Sequence, residues 1–424
     1  MKMKINISPF IRPVNNRNLP GVILAVSMVM LLSACATTRE QSRVTPFDAL
    51  EKLADQKLMN DQHAFIEHLY DARSWMPSRY LNQDPIAFAE RAEAPVNSAR
   101  TKIIGSSYQE SLRSLAAKLW MIEHAEHTLD LTYYIFTYDP AGNAILGALC
   151  NAVKRGVDIR IMVDSLGSMN TSHSPLRALE TCALDAGHIR DAHGRKTPYK
   201  ARVQAVIINA LTSISSWSNR RSHDKLIIKD GSFPGKDMVI TGGRNISVDY
   251  YGISKDGSRN PDTYLDLEIL LRSSELARDG SGDITVGDVS SIYYTLLFLH
   301  KGNLRIQPIP DDQDTDIFAP SNRYEGYRRK AQEALEFIKN LPGMQEAYAE
   351  MPQYLSQGYS VSEVRLAHEL GNLVSEDVVV NVEEIKSRNL NSIGAILANI
   401  FEEVGRNGKV QGHFRIVSPY LFIA

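Results

Sequence analysis

Three cysteines in 424 residues are too few for a disulfide framework, and no C-x-x-C or His/Cys cluster offers a zinc site, so the search for chemistry does not begin with a metal. An excess of charge is also missing. With 47 Lys+Arg against 49 Asp+Glu the formal charge is -2, and no long Lys/Arg block exists. That excludes a nucleic-acid binder working through bulk electrostatics and leaves room only for a local basic pocket. What is present is 43% hydrophobic and 23% charged residues, the profile of a folded globular protein long enough for two or three domain-sized units.

The N-terminus carries Lys2, Lys4, Arg12 and Arg17, then an apolar run from Leu19 to Ala34 ending in Leu32-Ser33-Ala34-Cys35. A positive segment, an apolar segment of roughly 15 residues and small residues before a cleavage point read as an export signal, too short for a bilayer-spanning helix of ~20 residues. Leu-Ser-Ala-Cys resembles the bacterial lipobox. The resemblance implies that Cys35 is acylated, becomes the new N-terminus and holds the protein on a membrane. Ala36 in place of an acidic residue favours, by the same resemblance, an outer-membrane lipoprotein of the cell envelope facing the periplasm. Anchorage at the inner membrane and an uncleaved N-terminal anchor are the alternatives. In that oxidising compartment Cys150 and Cys182 could pair, but nothing in the sequence gives their separation, and buried free thiols are the expectation.

Residues 36–100 read as a tether and small helical cap, with prolines at Pro46, Pro77, Pro85 and Pro95. At Ser107-x-x-Glu110 a capping box opens a helix carrying Leu112, Leu115, Leu119 and Ile122. Leu129 to Phe136 alternates as a strand, Ile145, Leu149 and Val153 mark a second amphipathic helix, and Val157 to Asp164 alternates again. Strand, helix, strand over about 35 residues predicts a βαβ unit with a parallel pair. Further strands are expected at Val203 to Ile208, His223 to Ile228, Met238 to Thr241 and Tyr264 to Leu271. This places an α/β sandwich, a mixed sheet flanked by helices, over 101–275. A helical segment is expected over 276–375, including Ser290 to His300, Tyr324 to Lys339 and Val361 to Asn372, and a second lobe is expected to begin in 376–424.

Chemistry concentrates in His223-Asp224-Lys225-Leu226-Ile227-Ile228-Lys229-Asp230, an H-x-K-x-x-x-x-D, followed by Gly242-Gly243-Arg244-Asn245. Side chains alternate along a strand, so His223 and Lys225 share one face while Leu226 and Ile228 take the other. An imidazole beside an ammonium suits a phosphodiester: a neutral imidazole can attack phosphorus, and a fixed cation offsets the charge that builds on the non-bridging oxygens. Gly242 and Gly243 let the backbone approach closely, and Asn245 can donate an amide N–H to a phosphoryl oxygen. By chance the bare pattern arises in about 3% of chains of this composition and length, so the downstream glycines and asparagine matter to the reading.

On these residues the sequence resembles the phospholipase D superfamily, known by its HKD motif, and within it the bacterial cardiolipin synthase and phospholipase D-like lipoprotein branch. Asn219-Arg220-Arg221-x-His223-x-Lys225 with Gly242-Gly243-Arg244-Asn245 looks like the first HKD motif, and Leu129 to Phe136 with Arg155 to Asp164 resembles the first βαβ unit. The resemblance implies a phospholipase D-like sandwich with one complete lobe. It implies His223 as nucleophile, forming a phosphohistidine, with Lys225 and Asn245 on the phosphoryl oxygens and Arg221, Gly242 and Gly243 on the substrate side. Asp230, the third letter of the motif, is read as a charge-pairing residue at the strand end. To fix the imidazole's tautomer, Asp266 is favoured, with Glu268 on the same face as the reserve.

Monomeric members carry two such motifs, and the second histidine protonates the leaving alcohol. Of the 11 histidines here only His223 has a lysine two residues on. Ser418-Pro419-Tyr420 resembles the strand that opens the second lobe, and the sequence ends four residues later. The expectation is therefore a phospholipase D-type phosphodiesterase or phosphatidyltransferase on a phospholipid substrate, without cofactor or metal, in which a homodimer completes the site. The competing readings are a non-catalytic fragment of a two-motif enzyme and, less favoured, an HKD nuclease. Near-neutral charge and the export signal weigh against nucleic acid as a partner.

Overall fold

The computed structural model describes residues 45–57, 61–81, 97–165, 167–168, 173–208, 222–274, 284–309 and 322–368, with positions 85, 402 and 406. Cys35, Arg221 and, apart from positions 402 and 406, the expected second lobe over 376–424 lie outside the described residues.

A nine-stranded mixed sheet organises the chain, in the order β10 (Leu304–Ile306), β6 (Val203–Ile208), β3 (Asp158–Asp164), β2 (Thr128–Tyr133), β7 (Lys225–Lys229), β8 (Met238–Gly242), β9 (Glu268–Ser273), β1 (Asn97–Ile104) and β11 (Ser360–Val364), while β4 (His188–Arg190) and β5 (Lys196–Lys200) pair apart from it. Its parallel part is β2 (Thr128–Tyr133), β3 (Asp158–Asp164) and β6 (Val203–Ile208), and every residue of the three is buried, as expected where helices cover both faces. The predicted βαβ unit is β2, helix α4 (Pro140–Arg155) and β3. Asp139 caps that helix through Gly142 N, and Gly156 ends it in the left-handed conformation at φ 103°. Next to β2 lies an antiparallel run of β7 (Lys225–Lys229), β8 (Met238–Gly242) and β9 (Glu268–Ser273).

On one face Leu129, Leu131, Ile159, Ile161, Ile227, Ile240 and Leu270 pack into the main core with helices α3 (Tyr108–Glu123), α4, α7 (Asn322–Asn340) and α8 (Pro342–Tyr354). On the other, Met162, Val206, Leu226, Ile228 and Val239 meet α6 (Val286–Phe298). The N-terminal helices are seated by apolar side chains, α1 (Pro46–Lys57) through Phe47 on the α6 side and α2 (Gln62–Ala72) through Phe65, Ile66 and Leu69 in the main core, and charge adds to this after α2. Arg73, at the end of α2, bonds Asp158 and Asp130 at 2.8 Å each, and Arg160 also bonds Asp130 at 2.8 Å. Removing one partner of such a buried set would leave an uncompensated charge, which costs about 3–5 kcal/mol.

Several expectations change. Strand β1 (Asn97–Ile104) starts inside the segment read as a tether, so the boundary at residue 100 falls within a strand. The segment 276–375 is not purely helical: β10 (Leu304–Ile306) and β11 (Ser360–Val364) both join the sheet. The helix read over Val361 to Asn372 is therefore a strand at its start, because β1 offers it a free antiparallel edge and Val361 and Val364 suit extended backbone. Cys150 and Cys182, expected as free thiols, form a disulfide with their Cα atoms 5.4 Å apart, because α4 packs against the turn that follows α5 (Ser174–Thr181). No helix among the described residues is long and apolar enough to cross a membrane.

Candidate active site

Lys225 opens β7 opposite Tyr133 at the end of β2, so the motif sits where the sheet's central strands stop. The expected alternation holds: Leu226 and Ile228 enter the α6-side core, while His223 and Lys225 take the other face. Lys225 is buried, with its Nζ 3.2 Å from His223 Nδ1 and donating to the His223 carbonyl at 2.7 Å. His223 Nε2 has no hydrogen-bond partner among the described residues and is the ring nitrogen left for an incoming group. The imidazole packs against the Tyr134 ring, centroids 4.5 Å apart, and Tyr134 N donates to the Asp224 carbonyl, which ties the motif to the end of β2.

Packing on one side strips water from the imidazole and lowers its pKa, and the neighbouring Lys225 ammonium lowers it further against the opposing pull of Asp224 and Asp266. Burial likewise brings Lys225 down to about 8, with Asp224 and Asp266 acting against it. Near neutral pH the pair thus offers an unprotonated imidazole beside a charged ammonium, the combination a phosphodiester requires.

Asn245 is buried and already committed: Oδ1 accepts from Ile135 N at 2.9 Å, and Nδ2 donates to the Tyr250 hydroxyl at 2.8 Å. One amide proton remains to be given away. Asp266 reaches the pocket across Gly243, where an added Cβ would lie 2.6 Å from the carboxylate Oδ1. At Gly242 the φ of 154° and the crowding of a Cβ against the Leu267 carbonyl and Glu268 Cα show why no side chain fits. The close approach made by these two glycines is therefore to the 266–268 segment.

Two of the predicted residues sit elsewhere. The strand read from Tyr264 begins only at Glu268, and the 264–267 stretch is a loop with Tyr264 and Leu265 exposed. Glu268, the reserve for Asp266, turns instead into a buried network. It accepts from Lys118 Nζ at 2.6 Å, from Arg244 Nη1 at 3.2 Å and from Ser114. Asp230, at the far end of β7 and roughly 16 Å along the strand from Lys225, is fully buried. Its Oδ1 accepts from the backbone N–H of His127 at 2.8 Å and Thr128 at 2.9 Å, and Lys229 pairs with it at 2.9 Å. Its own backbone is left-handed, φ 49°. It organises the Glu126–Thr128 turn rather than the pocket.

Sequence reasoning passed over Asp224 and the tyrosines. Asp224 points to the α6 side, where its carboxylate accepts from Ser222 Oγ and Tyr293 Oη at 2.6 Å each. His368 stacks on Tyr293 at 5.9 Å, and burial holds its pKa down at about 4. The middle letter of H-x-K could have flagged Asp224, because the residue between His and Lys must face the opposite layer. Nothing local announces Tyr293.

Residues 119–256 match the family described as cardiolipin synthase, phospholipase D-like domain. Over these residues the chain is similar to phospholipase D-like domains of the cardiolipin synthase kind. Cardiolipin synthase C of Escherichia coli K12 is 33% identical over 150 residues, covering 35% of this chain and 28% of that protein. A cardiolipin synthase of Geobacillus sp. WCH70 is 26% identical over 220 residues, covering 51% of this chain and 39% of the relative. The chain thus matches well under half the length of these relatives. Among solved structures, the phospholipase D family member Nuc from Salmonella typhimurium is 19% identical with a TM-score of 0.29, covering 49% of this chain and 99% of Nuc. The phospholipase D-like domain spans every motif residue from His223 to Asn245, while Asp266 lies ten residues beyond it.

Proposed function

We propose that the chain is a phospholipase D-type phosphodiesterase or phosphatidyltransferase acting on phospholipids through a phosphohistidine at His223, with water or a lipid alcohol as acceptor. The observation that carries this reading is the His223–Lys225 pair beside Asn245 and Asp266 at the end of the central strands. As phosphate enters, Lys225 leaves Nδ1 for the phosphoryl oxygens, and the neutral ring's proton, carried on Nε2 while Nδ1 accepts from Lys225, moves to Nδ1 on the side of Asp266 and frees the Nε2 lone pair. Nε2 then attacks phosphorus, the bond from phosphorus to the headgroup oxygen breaks, and that oxygen takes a proton as the alcohol leaves. Water or a lipid alcohol next attacks the phosphorus–nitrogen bond and restores the imidazole. Transfer to a second phospholipid forms cardiolipin.

Attack and leaving-group protonation call for two imidazoles on opposite sides of phosphorus, and one H-x-K is present. If the sequence is active as it stands, a second copy bringing its own His223 meets that need, and activity should then depend on protein concentration. The expected test product is an alkali-stable, acid-labile phosphatidyl adduct on the peptide containing His223, seen by mass spectrometry after rapid quenching. Release of headgroup by His223→Ala at the wild-type rate would overturn the assignment. By the export signal we also place the protein in the cell envelope, held by acylated Cys35. Palmitate labelling that persists in Cys35→Ser would remove that anchor.

A further inference from the structure

Tyr250 lies five residues beyond Asn245, in the short turn Val248–Tyr250. Its oxygen accepts the Asn245 amide at 2.8 Å, and a phenol whose oxygen is already accepting still has its own proton to give. The same asparagine takes Ile135 N, the residue after Tyr134, and Tyr134 packs on His223. Tyr250 thus sits one hydrogen bond away from the asparagine amide aimed at phosphate. Its ring is held against Tyr264 with centroids 4.9 Å apart, at the start of the loop that brings Asp266 over Gly243. Burial raises its pKa, and the Asp266 charge adds to this, so the hydroxyl keeps its proton at neutral pH.

We infer that Tyr250 is a further substrate-contacting residue of this site, its hydroxyl donating to a phosphoryl oxygen as a third donor beside Lys225 and Asn245. The inference rests on the phosphodiester reading above. As charge builds on the non-bridging oxygens, three donors from three separate turns of chain converge on it: the start of β7, the end of β8 and the Val248–Tyr250 turn.

The test uses the full chain and inorganic phosphate as probe. Tyr250→Phe keeps the ring and its packing on Tyr264 and removes only the hydroxyl, and phosphate affinity measured by calorimetry should fall ~10-fold or more, as for a lost hydrogen bond to a charged group. The same factor should persist in an Asn245→Ala background. In the wild type, the Tyr250 ring carbon bearing oxygen, followed by ¹³C NMR, should shift on saturation with phosphate. Equal affinity in Tyr250→Phe, or an effect that vanishes once Asn245 is gone, would overturn the assignment alone and leave Tyr250 as a prop for Asn245. A wild type without phosphate affinity would overturn both this inference and the phosphodiester reading.

Discussion

Lys225 Nζ lies 3.2 Å from Nδ1 of His223, so the cation we propose for phosphate rests on the imidazole we propose as nucleophile. Burial lowers the readiness of both groups to carry a proton, and the Lys225 ammonium lowers that of His223 further.

The pH profile follows from these signs. On the proposed mechanism the attacking His223 is unprotonated, the proton-donating His223 of the second copy is protonated and Lys225 is charged, so kcat/KM should rise through a pKa below the usual histidine value of 6.5 and be lost on the alkaline side by about pH 8. Lys225→Arg should lose much of the rate yet move the alkaline limb upward, because a guanidinium does not deprotonate in that range. An alkaline limb unchanged in Lys225→Arg would assign it to another group.

Asp266 and Glu268 should separate cleanly. Asp266→Asn should lower turnover with little change in melting temperature, since its carboxylate makes no hydrogen bond or ion pair among the described residues. Glu268→Gln should destabilise the fold by about 3–5 kcal/mol, because Lys118 and Arg244 would be left in the core without their carboxylate. Thermal denaturation of the two variants decides this. A Glu268→Gln protein as stable as wild type would contradict the network.

Gly243→Ala should lower turnover as the Asp266 variant does, since the added methyl meets both the carboxylate and the Cβ of Asp266, so the side chain must turn and the 266 segment must give way slightly. Gly242→Ala meets backbone instead and strains φ, so it should lower stability by ~1–3 kcal/mol. Comparable melting temperatures for the two would count against this distinction.

Reduction of the Cys150–Cys182 bridge, or Cys182→Ala, should cost about 3–4 kcal/mol by releasing a loop closed across 32 residues, without touching the pocket. Denaturant midpoints with and without reductant measure it. A midpoint unmoved by reductant would show that the bridge contributes little.

How much of this was legible follows from which forces are local. The two faces of β7 come directly from alternation, so the order of residues alone puts His223 and Lys225 side by side, with Leu226 and Ile228 opposite. The βαβ unit from Thr128 to Asp164 is equally readable, since its helix begins at Asp139 and ends at Gly156 with ordinary caps. Other features rest on segments far apart in the chain. Asp266 and Glu268 share a parity in the sequence, yet Gly243 N binds the Leu267 carbonyl where β9 begins, and one carboxylate enters the pocket while the other enters the core. The segment from Val361 carries residues compatible with helix or strand, and only the free edge of β1 decided between them. The roles of Asp224 and Tyr250 and the bridge between Cys150 and Cys182 arise the same way. Local sequence set which groups could face together, and packing between distant turns set which of them meet.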